Sequence, residues 1–257
     1  DPWEIWGCYF PAVALAWWLG GRATALFDGG DPRKAVIGGV GSAFANPAVV
    51  GLPLAERAYG EHGAVIVTLL ISIHLPVMMT AATLLMERAE RLEAGLATGS
   101  VRGTLAAIGR ALLTNPIVLA LIAGTVVRLS GVPLAGVPMQ VIDVVAKVAG
   151  PAALVALGMS LHHHGLKGDI ATTFAVTGLK IVVLPAIVLA ICVVFRIEPE
   201  TTRPLVVLAG VPAGVNVFLI ADRAGVGQPL ASGVVAMTTF FGAATSAAWI
   251  ALLGRIV

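Results

Sequence analysis

Between its charged and turn-forming residues the sequence carries eight apolar runs, roughly 5–20, 35–55, 63–86, 112–127, 138–161, 171–195, 205–221 and 230–253. Most approach or exceed the about 20 apolar residues that a helix needs to cross the hydrocarbon core of a bilayer. Composition agrees: 58% of the 257 residues are hydrophobic and 12% charged, with a mean hydropathy of +0.95, against about 45–50% and 25% in soluble domains. Backbone groups in hydrocarbon must be satisfied within the segment, so such runs read as helices. The expected fold is an all-α integral membrane bundle whose surroundings are the lipid bilayer. A net charge of +2 is too small to argue for nucleic acid. Cys8 and Cys192 both lie inside apolar runs and offer neither a disulfide framework nor metal spacing. The chain opens Asp1-Pro2-Trp3-Glu4, without an initiator Met or a basic n-region, which reads as no signal peptide and as the start of a fragment.

The first run is short and is flanked by Trp3, Trp6, Trp17 and Trp18, rings that favour the two interfaces, so it reads as a tilted or truncated span. Residues 101–111 carry Arg102 and Arg110 among apolar neighbours, which suits an interfacial helix before the chain enters the membrane at Asn115-Pro116. Orientation follows from the basic residues between the runs. One set of loops holds nine, Arg22, Arg33, Lys34, Arg88, Arg91, Arg102, Arg110, Lys167 and Arg223; the other holds five, Arg57, Arg128, Arg196, Arg203 and Arg255. The richer set belongs in the cytoplasm. Both ends of the chain then face outward and the 88–104 loop is cytoplasmic, at what is expected to be a bacterial inner membrane. The Glu87-Arg88-Ala89-Glu90-Arg91 stretch reads as an exposed helical extension with paired charges.

The chain also matches itself. Leu54-Ala55-Glu56-Arg57-Ala58-Tyr59-Gly60 lies over Ile220-Ala221-Asp222-Arg223-Ala224-Gly225 at an offset of 166. Each segment closes a span with proline and asparagine near its middle, and each is followed by one long final span. The two cross in opposite directions, which is the signature of an inverted-topology repeat. The expected units are residues 1–87, an incomplete first repeat of three spans with its broken span at about 35–55, the loop 88–104, and residues 105–257, a second repeat of five spans with its broken span at about 205–221.

The two broken spans read Phe44-Ala45-Asn46-Pro47-Ala48-Val49-Val50-Gly51-Leu52-Pro53-Leu54 and Ala209-Gly210-Val211-Pro212-Ala213-Gly214-Val215-Asn216-Val217-Phe218. Proline removes a backbone donor and clashes with the preceding turn, so both should be interrupted helices. Unwound backbone at membrane depth is tolerated only against protein or a watery cavity. The half-helix N-termini would then turn their positive ends on a central cavity suited to a carboxylate, with the amides of Asn46 and Asn216 beside it.

These segments, with Asn115-Pro116-Ile117, Ala156-Leu157-Gly158-Met159-Ser160-Leu161 and the stretch from Leu179-Lys180 to Pro185, make the sequence resemble the auxin efflux carrier family of bacterial and plant transporters, including its bacterial malonate and malate carriers. The resemblance covers nearly the whole chain. It implies a fold of ten spans in two five-span inverted repeats, whose fourth and ninth spans cross at their breaks near the substrate. Eight spans are present here, so the first would be the family's third. It further implies a substrate role for Asn46, Pro47, Gly51, Pro53, Pro212, Gly214 and Asn216. A scaffold against which the crossover domain moves is implied too, and with it room for a homodimer through scaffold helices.

Other polar residues fall inside runs. His74, in Ser72-Ile73-His74-Leu75-Pro76, is an ionisable group at membrane depth and reads either as a substrate or proton site or as a hydrogen-bonded packing residue. Asp143 and Lys147, four apart, share a helix face and read as a structural pair, with a charge or coupling role as the other reading. Lys180 has a stem long enough to snorkel to the cytoplasmic interface; its position in the resembled family implies a standing positive charge or a partner for a backbone break. His162-His163-His164 suits a cation cluster at a helix end, since adjacent histidines cannot all face one metal. Thr238, Thr239, Thr245, Ser246 and Gly242 suit close helix packing.

The leading expectation is a secondary transporter of a small organic anion, a malonate-like dicarboxylate preferred, working by alternating access at the crossover. The sequence expects no cofactor, and the coupling ion, proton or sodium, stays open. Two alternatives stand beside it: a sodium-coupled carrier of the bile-acid symporter kind, and a non-transporting fragment of a carrier. No P-loop, His-Glu-x-x-His or Gly-x-Ser-x-Gly pattern occurs, which argues against a primary pump and against an enzyme.

Overall fold

The computed structural model describes residues 2–27, 29–95, 113, 116–131, 135–164 and 170–256. The interfacial segment 101–111, the 96–104 part of the loop, Asn115 and residues 165–167 lie outside the described residues, as do the side chains of His162, His163 and His164.

The described chain is helical almost throughout: α1 (Pro2–Phe27), α2 (Pro32–Ala43), α3 (Leu52–Glu93), α4 (Pro116–Ser130), α5 (Val137–His164), α6 (Ile170–Gly178), α7 (Leu184–Val194), α8 (Pro199–Gly210), α9 (Asn216–Ala224) and α10 (Gln228–Ile256). Wide π turns join α2 to α3 through Pro47–Gly51 and α6 to α7 through Leu179–Val183. The stretches Pro47–Glu93, Ile170–Val194 and Gln228–Ile256 are each long and apolar enough to cross a bilayer. Polarity is arranged as a membrane protein requires. Ser42, His74, Lys180, Ser232 and Thr238 are buried, while Phe174, Val182, Val194 and Phe240 face outward.

Helix α1 extends beyond the apolar run 5–20 at both ends. Glu4 and Arg22 interrupt the hydrophobic pattern but not the helix, because neither side chain breaks backbone hydrogen bonding. Runs two and three are likewise joined: α3 continues through Gly60, whose φ of 66° and ψ of −157° mark a kink between two helical stretches. Gly225, which caps α9, has φ 65°. Both broken spans thus end on a glycine with positive φ, which costs other residues strain.

Packing of α1 on α2 depends on small residues. A Cβ on Gly38 would fall 1.8 Å from Thr24 Oγ1, and one on Gly20 would fall 2.2 Å from Ser42 Oγ. Such close approach is how helices associate where burial from water supplies little drive. Ser42 Oγ donates to Ala16 O at 2.7 Å or to Gly39 O at 2.8 Å, joining the two helices. At one end of the bundle Arg33, at the start of α2, pairs with Glu93, at the end of α3, with Nη2 2.6 Å from Oε1. That contact places the start of α2 beside the end of α3.

The π turn at Leu179–Val183 has an identifiable cause nearby. Pro185 has no N–H to give the carbonyl of Ile181 one turn earlier. Trp249 of α10 fills that role, its Nε1 donating to Ile181 O at 3.0 Å. Lys180 is the one charged residue of that turn.

Candidate functional site

Two interrupted spans meet at the centre of the bundle. Helix α2 stops at Ala43 and the chain resumes helical bonding at Pro47; α8 stops at Gly210 and α9 begins at Asn216. The bridging residues lie antiparallel, Ala45 opposite Ala213. Asn46 N donates to Pro212 O at 3.0 Å, and Gly214 N donates to Phe44 O at 3.0 Å. Each break therefore satisfies part of the other's exposed backbone, which is what permits both to exist in hydrocarbon.

The prolines explain where the breaks fall. Pro47 and Pro212 bring no N–H and disfavour helix in the residue before them. Asn46 starts the new turn: its Oδ1 accepts from Val49 N at 3.4 Å, a long N-cap contact, and its carbonyl accepts from Gly51 N at 3.1 Å. Pro53 sits in the first turn of α3 with its ring exposed. Gly51 is buried, and a Cβ there would meet Leu208 Cδ1 at 2.4 Å. Gly214 is buried against Ala45, and Asn216 opens α9 half-buried.

Four half-helix ends converge on these few residues. The carbonyl ends of α2 and α8 arrive at the crossover, and the N–H ends of α9 and of the turn that opens α3 depart from it. The departing ends carry partial positive charge and the arriving ends partial negative charge. An anion would be held by the first pair, while the second pair calls for cations.

Lys180 supplies one such cation. Its side chain is fully buried, and Nζ donates to Ala209 O at 2.6 Å and to Val211 O at 2.7 Å, spanning the frayed C-terminus of α8. This overturns the snorkelling expectation: broken backbone offers two carbonyls inside the protein, and they outcompete the distant interface. Of the two roles implied for Lys180, partner to a backbone break is the one the geometry matches. On the opposite side of the same break, Thr238 Oγ1 accepts from Ala213 N at 3.0 Å and itself donates back to Val234 O at 2.7 Å. Thr238, read from sequence as a packing residue, thus holds the crossover as well.

His74 is brought to the crossover by the second stretch of α3. Its ring stands T-shaped against Phe44 at 5.3 Å between centroids and against Tyr9 of α1 at 5.6 Å. Only 1% of the residue is exposed. It reaches toward the Ala45 backbone, yet neither ring nitrogen makes a well-formed hydrogen bond among the described residues. The packing reading foresaw a hydrogen-bonded imidazole, and the packing occurs without the bond. Tyr9, which carried no signal in the sequence beyond its place in an apolar run, is equally buried and its hydroxyl equally without a partner there.

Asp143 and Lys147 are not at this site. Both lie exposed on α5, and no ion pair joins them among the described residues. Among the described residues no group of three or more His, Cys, Asp or Glu side chains is placed to hold a metal. A cavity of about 670 Å³ opens between α1, α2 and α3, lined by Phe10, Trp17, Val36, Met78 and Leu85 with Arg22 as its one charge. It includes neither asparagine of the crossover, and its apolar walls do not suit a small anion.

Comparison with known proteins identifies the family. A family model described as membrane transport protein matches residues 1–250. The chain belongs to that family. It is also 31% identical over 218 residues to the protein named "Putative malonate transporter" of Rhizobium meliloti (strain 1021), an alignment covering 82% of this chain and 65% of the relative. The chain thus spans just under two thirds of the length of that relative.

Proposed function

We propose that this member of the membrane transport protein family is a secondary transporter of a small organic anion, with a short dicarboxylate such as malonate as its preferred cargo. The observation that carries the reading is the antiparallel meeting of Phe44–Asn46 with Pro212–Gly214, from which two half-helices depart with their N–H ends beside Asn46 and Asn216. Oriented backbone donors and amide side chains there suit a carboxylate without requiring a formal positive charge in contact with it. Pro47, Gly51, Pro53, Pro212 and Gly214 shape the two breaks. Similarity to a protein named for malonate supports the dicarboxylate.

In this reading residues 1–87 and 105–257 are the two inverted repeats, and access alternates as the crossover unit moves against a scaffold that also makes a homodimer. A bacterial inner membrane is its place, with the 88–104 loop in the cytoplasm. Lys180 argues against the sodium-coupled alternative, because its ammonium already bonds the carbonyls that a half-helix C-terminus would offer a cation. Asp143 and Lys147, exposed on α5, take no part.

The test is thermal stabilisation of the purified full-length protein across malonate, malate, succinate, citrate, indole-3-acetate and a bile acid, with and without sodium. Stabilisation by one short dicarboxylate, independent of sodium and abolished in Asn46→Ala and Asn216→Ala, is the expected result. Stabilisation that ignores both substitutions would sink the crossover as the binding site.

A further inference from the structure

The two arriving helix ends at the crossover are treated differently. The C-terminus of α8 has the Lys180 ammonium on its carbonyls. At the C-terminus of α2 a basic side chain packs on the break as well, His74, against the ring of Phe44 and reaching toward the Ala45 backbone. An imidazole 99% covered by protein, with neither nitrogen in a well-formed hydrogen bond among the described residues, is an expensive arrangement for a group that could have been leucine.

We propose that His74 is the proton site of the carrier: it takes up a proton when an anion occupies the crossover and releases it when the anion leaves, so that anion and proton cross together. The proposal rests on the transporter reading above. In the step, a proton from solvent adds to the lone pair of a neutral imidazole nitrogen, and the same N–H gives it up on the other side of the membrane; no other bond changes.

Electrostatics supply the coupling. Lys180 and His74 stand at the two arriving ends of one crossover, Lys180 on Ala209 O and Val211 O and His74 against Phe44, whose carbonyl accepts from Gly214 N. A proton on His74 therefore sets a second buried cation near the first, where repulsion is far stronger than in water. An anion at the departing helix ends cancels much of that repulsion. The carbonyl end of α2 then favours the imidazolium as the carbonyl end of α8 favours Lys180. Charge on the anion and charge on His74 thus rise together.

The surrounding groups leave this pairing intact. From α1 the titratable group against His74 is Tyr9, and from the turn at Leu179–Val183 it is Lys180. The buried part of α2 from Ile37 to Ala43 carries no titratable side chain, its Arg33 and Lys34 lying in the first turn. From α8 the charged groups are Glu200, which is exposed in the first turn, and Arg203, whose charge falls on Tyr59. On α4 the charged group is Arg128, which is exposed.

The full-length protein and malonate decide it. Binding heats are measured in two buffers of different ionisation enthalpy, at a pH where free malonate holds no proton. The expected result is about one proton taken up per malonate bound. In parallel, ¹⁵N-histidine spectra should show one imidazole passing from neutral to cationic as malonate saturates the protein, and that signal should be missing from His74→Gln. Malonate binding with no proton uptake overturns the proposal and leaves the transporter reading standing. So does an imidazole that becomes cationic but persists in the Gln variant. If that variant does not fold, the wild-type heats decide alone. Absence of binding by any anion overturns the transporter reading and the proton site with it.

Discussion

Lys180 Nζ stands 2.6 Å from the carbonyl oxygen of Ala209, the next-to-last residue of the half-helix that ends at the crossover. With Val211 O at 2.7 Å, the ammonium closes a helix terminus that Pro212 prevents from continuing. Lys180→Met keeps most of the stem and removes the donor. Each buried carbonyl left without a partner costs roughly 1–3 kcal/mol. Relief from burying a charge offsets part of that. A net loss of about 2 kcal/mol is expected, seen as a lower Tm in detergent. A variant more stable than wild type would show the ammonium to be a burden that the carbonyls do not compensate.

Asn46 and Asn216 flank the departing helix ends from the two halves of the chain. At malonate concentrations near 100 times Kd, wild type should gain about 2.7 kcal/mol of stability. Asn46→Ala and Asn216→Ala should each gain close to none. Asn46→Ala should also be slightly less stable without ligand, by up to about 1 kcal/mol, because its Oδ1 caps the Pro47–Gly51 turn with a long contact. Asn216 makes no side-chain cap for α9, so its unliganded loss should be smaller. Equal ligand shifts in wild type and both variants would move the site elsewhere.

What could be read in advance was the chemistry that acts along the chain. Proline deletes its own donor wherever it stands, so Pro47 and Pro212 announce their breaks, and the flanking asparagines announce polar groups at membrane depth. What the two breaks do to each other could not be read, since the bonds from Asn46 to Pro212 and from Gly214 to Phe44 join residues from the two ends of the chain. Lys180 misled for the same reason: snorkelling assumes that the nearest acceptors are at the interface. Spacing put Asp143 and Lys147 on one helix face, but a shared face does not by itself bring two flexible side chains together. Thr238 announced packing and nothing more, because a threonine hydroxyl in an apolar helix is usually satisfied by its own backbone, and Tyr9 gave no warning beyond its place in an apolar run.

Gly242 and Gly254 lie on the same helix, α10, and should respond oppositely to the same change. Helix propensity alone favours Ala over Gly by about 1 kcal/mol in a helix interior. At Gly254 nothing lies within 4 Å of a Cβ, so Gly254→Ala should raise stability by up to that amount, somewhat less near the helix end. At Gly242 the Cβ would fall 2.6 Å from Pro212 Cγ, in a ring already fixed by the crossover. Overpacking of this kind costs about 1–3 kcal/mol. Gly242→Ala should therefore lower Tm and weaken malonate binding as Pro212 shifts. A stabilised, fully binding Gly242→Ala would mean that the crossover yields to one methyl group.

Asp31 controls the entry to α2, and with it the break twelve residues on. Its Oδ1 accepts from Arg33 N at 2.8 Å and from Lys34 N at 3.4 Å, and Arg33 Nη2 lies 3.5 Å from its other oxygen. Partial burial pushes the carboxyl up, but the hydrogen bonds and the Arg33 charge outweigh it and hold Asp31 below the ordinary carboxylate value. A folded-state pKa below the unfolded one means that the group stabilises the protein while it is ionised. Its contribution is complete above the unfolded value of about 3.9 and is lost as pH falls through the lowered folded value. Asp31→Ala should cost about 1 kcal/mol at neutral pH, and Asp31→Asn much less, since an amide oxygen still caps the helix. The Tm difference between wild type and Asp31→Ala should stay level from neutral pH down to about 5 and shrink only below about 4. A difference that widens in acid would reverse the sign and show that the carboxylate is strained, not supported, by its place at the head of α2.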